Sequence, residues 1–317
     1  MDWTPGVEDA TPCSAPIDDE AFTSLFDGQG DGLELGSLFQ QFRHFIAERT
    51  GIHFTVHQRP LLARKVGRRL WATGILDAAT YLRSIRSGGA AADELSNLVH
   101  EVSVHLTDFF RHPRQLERFS SLVERFAGRD LSLRQSGLRV WSAGCSTGEE
   151  AYTLAMLLRN VLRGRRGFTV LATDISEFCI EQAHSGNYEQ SQLKTVPEPF
   201  RSECFVRVPS LPGQLSVAPE IRQHVTFLVR NLVEDSPCKL TIDMDIIYCA
   251  NVLSYFHFAT RKLVLNRLLS HLKPDGFLLL GPCDAIRGLG DAFPRTALSS
   301  RILSQLCPSD ILFPLPE

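Results

Sequence analysis

"VWSAGCSTGEEAY", residues Val140 to Tyr152, decides the fold. An apolar run ends in a turn of small residues bracketed by two glycines, and two glutamates open the segment that follows. Strand, glycine turn and helix start together make the first step of an open parallel α/β sheet. Gly144-Cys145-Ser146-Thr147-Gly148 also fits the G-x-S-x-G pattern of a serine hydrolase, with Ser146 as nucleophile. That chemistry needs an oxyanion loop upstream and an acid and a histidine after late strands. No H-G-G type loop precedes the turn, and His271, before Lys273-Pro274-Asp275-Gly276, is the only histidine in a suitable region. The other reading is a cofactor turn. Glu149 and Glu150 stand at a helix start, where the helix dipole favours anions. They make the turn repel phosphates but accept a cationic or neutral nucleoside. Further on, "LATDIS" ends its strand in Asp174, where an acid can accept hydrogen bonds from both ribose hydroxyls or cap the next helix. Glycine turn, acidic helix start and strand-end acid together point to S-adenosylmethionine, whose sulfonium is positive.

Outward from this point, strands and helices alternate. "LRVWSAG", "FTVLATDI", "HVTFLVRNL", "MDIIYCANV" and "GFLLLGP" read as strands; "GEEAYTLAMLLRNVL", "SEFCIEQAHSG" and "ATRKLVLNRLLSHL" read as helices. Such alternation predicts a mainly parallel sheet with helices on both faces and ligands beyond the carboxyl ends of the strands. "CFVRVPSLPGQLSVAPEI" (204–221) interrupts it as an inserted hairpin. Upstream the pattern is helical. Leu38, Phe39, Phe42, Phe45 and Ile46 share one helix face that stops at Gly51. "RPLLARKVGRRLWATG" starts with Pro60 and stops at Gly74, and two further helices and a linking helix around Gln115 to Phe126 follow.

The net charge of -3 argues against a surface given over to nucleic acid. Arg59, Arg64, Lys65, Arg68 and Arg69 form one local basic stretch, either a solvated face or a docking face for an acidic protein. No apolar run reaches the roughly 18 residues of a membrane span. The acidic, proline-bearing start is unlike a signal peptide, so a cytoplasmic protein without membrane insertion is expected. The eight cysteines are scattered, with no C-x-x-C pair and no neighbouring histidine at ligand spacing, and His53 and His57, four apart, flank an extended stretch, so reduced thiols and no metal site are expected.

In order along the chain, "FRHFIAERTGIHF", "LLARKVGRRL", "LTDFFR", "VWSAGCSTGEEAY", "LATDIS", "AHSGNY", "RNLVE", "IIYCANVLSYF" and "KPDGFLLLG" resemble the CheR-type chemotaxis receptor methyltransferases over roughly residues 35 to 295. The resemblance implies an α/β fold: a Rossmann-like S-adenosylmethionine-dependent methyltransferase domain (133–290, with the hairpin as an inserted β-subdomain) and a small all-helical N-terminal domain (34–113). A linker helix (114–132) joins them, and tails of 1–33 and 291–317 flank them. It implies methylation of glutamate side chains on the cytoplasmic region of a chemoreceptor-like protein, with S-adenosylhomocysteine as product, by a monomer whose basic helix faces the receptor. Cofactor contacts carry over to His105, Thr107, Arg111, Gly144, Glu149, Asp174, Asn231, Leu232 and Asn251, and active-site roles to Arg111 and Tyr255. Three positions depart from the family: His105 replaces asparagine, Ala250 replaces arginine, and Pro282-Cys283-Asp284 replaces His-Ser-Glu. The loss of a guanidinium at 250 leaves a second reading open, a catalytically weakened regulatory paralogue that binds S-adenosylmethionine or its product.

Overall fold

The computed structural model describes residues 22, 25–26, 37–87, 92–128, 137–164, 167–234, 241–284 and 302–303. The tails read at 1–33 and 291–317 lie, but for those few positions, outside the described residues. The chain forms two compact units, one of residues 1–42 and 54–91 and one of 43–53 and 92–317.

The first unit holds the start of α1 (Leu38–Thr50), then α2 (Arg59–Thr73) and α3 (Ala78–Arg86). Pro60 sits in the first turn of α2, and Gly74, with φ +70°, ends it. Asp77 caps α3 by accepting the Thr80 N–H at 2.7 Å. Phe42 packs on Tyr81 and Phe26, all buried. Residues 43–53, helical and turn sequence that composition alone joins to this unit, belong with the other.

The second unit is the α/β domain. Its elements are α4 (Ala92–Val102), α5 (Pro113–Ala127), β1 (Leu138–Ala143), α6 (Glu149–Leu162), β2 (Phe168–Asp174) and α7 (Glu177–Ser185). Then follow β3 (Asn187–Glu189), α8 (Glu198–Cys204), β4 (Phe205–Arg207), β5 (Gln214–Val217), α9 (Pro219–Arg222), β6 (Val225–Val229), β7 (Met244–Cys249), α10 (Phe258–Ser270), β8 (Leu272–Leu280) and β9 (Ile302–Leu303). The main sheet runs β6-β2-β1-β7-β8-β9 with every pairing parallel. Chain order reverses at β1, so the crevice between β1 and β7 is the expected ligand position.

Alternation along each strand assigns the two faces. Leu138, Val140, Val170, Ile246, Tyr248, Phe277 and Leu279 join α5, α6 and the β-insertion in one core. Trp141, Ala143, Leu171, Ile247, Cys249, Leu278 and Leu280 join α10 in the other. The Trp141 indole N–H donates to Thr173 Oγ1 at 2.9 Å, so the largest inward side chain leaves no buried donor unmet.

The insertion holds one strand more than the inserted hairpin expected from the sequence. β4 and β5 form the antiparallel hairpin, and β3 pairs antiparallel with β5 on its other edge. Three residues, Asn187–Glu189, are too short to show an alternating pattern.

Candidate functional site

The site is built where β1 and β2 end. The Gly144 and Cys145 amides both donate to the Thr173 carbonyl, at 2.8 and 2.9 Å, and so clamp the turn onto β2. Gly144 has φ +93°, and a Cβ there would lie 2.4 Å from Val252 Cγ2. At Gly148, φ +99°, a Cβ would meet Ala183 and the Tyr188 hydroxyl at 2.8 Å. Both positions thus need glycine for conformation and for close approach. Asp174, the last residue of β2, accepts the Ser146 N–H with Oδ2 at 2.9 Å and the Ser176 N–H with Oδ1 at 3.0 Å. Burial pushes its carboxyl pKa up. The Ser146 hydroxyl donates to the His105 carbonyl oxygen at 3.2 Å. A hydrolase nucleophile would face the lone pair of a base, so the turn is of the cofactor kind.

A cavity opens beyond these strand ends. Thr107, Arg111, Gly144, Asp174, Asn231, Leu232, Asn251 and Tyr255 all line it. The structure therefore brings together eight of the ten residues expected at the cofactor and active site. The side chains of His105 and Glu149 are directed elsewhere. His105 Nε2 lies 2.7 Å from the His100 carbonyl and Nδ1 lies 3.0 Å from Cys179 Sγ. Glu149 is buried, with Oε2 accepting from Thr147 Oγ1 at 2.7 Å and Oε1 from Gln192 Nε2 at 3.4 Å.

The neighbouring Glu150 does line the cavity. One residue is a 100° step around a helix, so two adjacent glutamates cannot share a face. Sequence spacing does not say which one turns inward. Glu150 Oε1 accepts from the Ser142 hydroxyl at 2.6 Å, and burial pushes its pKa up to about 8.

The opposite wall is the loop after β7, held by a residue that the sequence marks only as a departure from the family. The Asp284 carboxylate accepts the amides of Asn251, Gly281 (3.0 Å) and Ser254 (3.2 Å), and burial pushes its pKa up to about 6. Asn251 takes φ +61° and its Nδ2 donates to His112 Nε2 at 2.9 Å. His112, also at positive φ, lines the cavity with its pKa lowered by burial and by the Arg111 charge. Arg111 Nη1 donates to the Leu106 carbonyl at 2.7 Å. The Tyr255 carbonyl accepts the His53 N–H at 2.9 Å, and burial raises the phenol pKa. The Asn231 side chain is engaged within the protein, its Nδ2 on the Arg49 carbonyl at 2.8 Å and its Oδ1 on the Val233 N–H at 3.1 Å. A ligand would meet this residue through its backbone.

The basic residues of α2 belong to the first unit. The Arg59 guanidinium lies 6.0 Å over the Phe39 ring and donates to the Phe26 carbonyl. Arg64, Lys65 and Arg69 are half-buried and Arg68 is exposed. Among the described residues, no helix is long and apolar enough to cross a membrane.

The cavity suits S-adenosylmethionine on observations of its own: a turn that admits no Cβ, a half-buried acid at the end of β2, and the Glu150 carboxyl beside it. Comparison with known proteins agrees. Residues 105–302 match the family described as "CheR methyltransferase, SAM binding domain" and residues 37–103 the one described as "CheR methyltransferase, all-alpha domain". A chemotaxis protein methyltransferase of Salmonella typhimurium is 34% identical over 245 residues, which is 77% of this chain and 82% of that protein. Its Escherichia coli counterpart is 31% identical over the same shares. An uncharacterized 104.1 kDa protein of Rhodobacter capsulatus is 31% identical over 89% of this chain, which spans only 29% of that protein's length. The chain belongs to the CheR methyltransferase family and binds S-adenosylmethionine.

Proposed function

We propose that this chain methylates glutamate side chains on the cytoplasmic region of a chemoreceptor-like signalling protein. The observation that carries the proposal is that Arg111 and Tyr255 face the same cavity as Gly144 and Asp174. A hydrogen-bonding fork and a phenol thus share a cavity with the glycine turn and the strand-end acid, which supports a carboxylate substrate. S-adenosylmethionine supplies an electrophilic methyl on a sulfonium. A glutamate carboxylate, with an ordinary pKa of about 4.3, is already ionised near neutral pH, so no general base is needed. The protein's task is to place one carboxylate oxygen in line with the sulfur-methyl bond and exclude water between them. Arg111 and Tyr255 orient that carboxylate. Thr107, Gly144, Asp174, Leu232, Asn251 and the Asn231 backbone hold the cofactor. Glu149 and His105 act indirectly on the turn, through Thr147 and through the carbonyl that accepts from Ser146. The basic face of α2 docks on an acidic receptor surface.

Incubation with radiolabelled cofactor and a receptor cytoplasmic fragment tests this reading. Base-labile label on glutamate is expected. Label that never appears on a fragment which a chemotaxis methyltransferase does label would sink it. Ala250 favours a second reading, because it lines the cavity and offers no donor. A chain that binds cofactor but gains turnover only on Ala250→Arg is the weakened regulatory paralogue.

A further inference from the structure

Beside the cofactor cavity, but outside it, three side chains converge that the methyl-transfer reading does not use. His100 lies near the end of α4, His105 in the segment after it, and Cys179 in the first turn of α7. Each offers one donor atom, and the three atoms lie within 4.8 Å of one another. The two imidazoles stack with centroids 4.3 Å apart at 15°. His105 Nδ1 is 3.0 Å from Cys179 Sγ.

The surroundings orient His105 as a metal-binding histidine is oriented. The His105 Nε2 hydrogen is directed to the His100 carbonyl at 2.7 Å, which leaves the Nδ1 lone pair facing sulfur. Histidines that bind metals show this pattern, donating the second ring N–H to a carbonyl or carboxylate. His100 Nδ1 is 2.8 Å from Ser176 Oγ, and the same oxygen accepts the Cys179 N–H at 3.3 Å, so one hydroxyl braces two of the three groups.

We infer that His100, His105 and Cys179 form a binding site for a zinc-class divalent cation, with a fourth position left to solvent. The donor set selects the ion. Two imidazoles and a thiolate suit zinc and its borderline-soft neighbours, whereas magnesium and calcium take oxygen ligands. Zinc-nitrogen and zinc-sulfur bonds of about 2.0 and 2.3 Å separate tetrahedral ligands by roughly 3.5 Å. His100 reaches that spacing by turning out of its stack on His105, which brings its ring plane onto the ion. Loading exchanges a proton for the cation: the Cys179 S–H bond breaks, sulfur ligates the ion, and the proton leaves to solvent. Burial pushes the Cys179 thiol up to about 11, so in the metal-free chain it stays protonated and does not act as a free nucleophile.

The site touches the cofactor turn by two routes. The His105 carbonyl accepts from the Ser146 hydroxyl, and the amides of Ser146 and Ser176 both donate to Asp174. A bound ion ties α7 to the Val102–Thr107 segment that lines the cavity.

Cobalt(II), a spectroscopic stand-in for zinc, is titrated into the metal-free full chain carrying no histidine tag. One equivalent should bind with a thiolate-to-cobalt charge-transfer band in the near ultraviolet, and zinc should displace it. Cys179→Ser should abolish the band, and His100→Ala and His105→Ala should weaken binding at least about tenfold. Cys283→Ser, at an exposed thiol, should leave the band in place. A band that survives Cys179→Ser overturns the site. X-ray absorption at the zinc edge of the wild-type chain does not depend on any variant folding. A shell with one sulfur at about 2.3 Å beside nitrogen neighbours supports the assignment, and a shell of nitrogen and oxygen alone refutes it.

Discussion

The two ends of the main sheet treat buried carboxyl groups in opposite ways. At the amino end, Asp245 of β7 is fully buried, with both oxygens 2.8 Å from Lys273 Nζ of β8 and Oδ2 also accepting the Arg139 N–H of β1 at 2.9 Å. That acid has its own cation and joins three strands. At the carboxyl end, Asp174, Glu150 and Asp284 accept only backbone N–H groups or a serine hydroxyl, and burial raises all three pKa values. An acid with a built-in lysine is neutralised within the fold. Glu150 and Asp174 instead share the wall of a cavity with Arg111 and Arg230, so charge there is spread around a ligand site rather than closed into one pair.

Breaking the paired end should have the largest effect. Lys273→Met strips the cation from a buried carboxylate and should cost on the order of 3 kcal/mol of stability. Urea denaturation measures this, and a loss below about 1 kcal/mol would mean that Lys273 matters little to Asp245. At the open end the expected loss is in affinity. Asp174→Asn removes the charge but keeps one acceptor, and should weaken S-adenosylmethionine binding by about 1.5–3 kcal/mol. Calorimetry would read that as roughly ten- to a hundredfold in Kd. Gly144→Ala drives a Cβ into Val252 at positive φ and should cost about 1–3 kcal/mol in stability. Since Val252 also lines the cavity, cofactor affinity should fall with it. Unchanged affinity would mean that the turn tolerates a methyl group.

A further effect concerns pH. Glu150 titrates near 8 in the folded chain and near 4.5 when unfolded. The unfolded state therefore releases its proton first, and stability falls as pH rises through this interval. Asp284 adds the same sign below about 6. Between pH 6 and 8, then, the wild-type melting temperature should drop relative to that of Glu150→Gln. Parallel curves would show that Glu150 is ionised throughout.

Most of the fold is legible in the sequence because it rests on local periodicities. Short continuous apolar runs such as "IIYC" and glycine or proline stops such as Gly51, Pro60 and Gly74 need no knowledge of distant partners. The strand Asn187–Glu189 escapes because it is defined by pairing with β5 rather than by its own pattern. At the site, Gly144 and Asp174 are legible since a turn and a strand end dictate their positions. Glu150 is not, because the choice between adjacent glutamates depends on how α6 is rotated against the sheet. His105 and Cys179 lie 74 residues apart in sequence, beyond any ligand-spacing rule, and only the packing of α7 brings them together.

Asp284 has a consequence in time as well as in space. The amides it gathers at Asn251 and Ser254 lie 33 and 30 residues back along the chain, so the loop cannot be held until β8 has docked beside β7. A pocket completed in that order is unformed in the folding transition state. Asp284→Ala should quicken unfolding while leaving the refolding rate nearly unchanged, the kinetic signature of a site completed after the transition state.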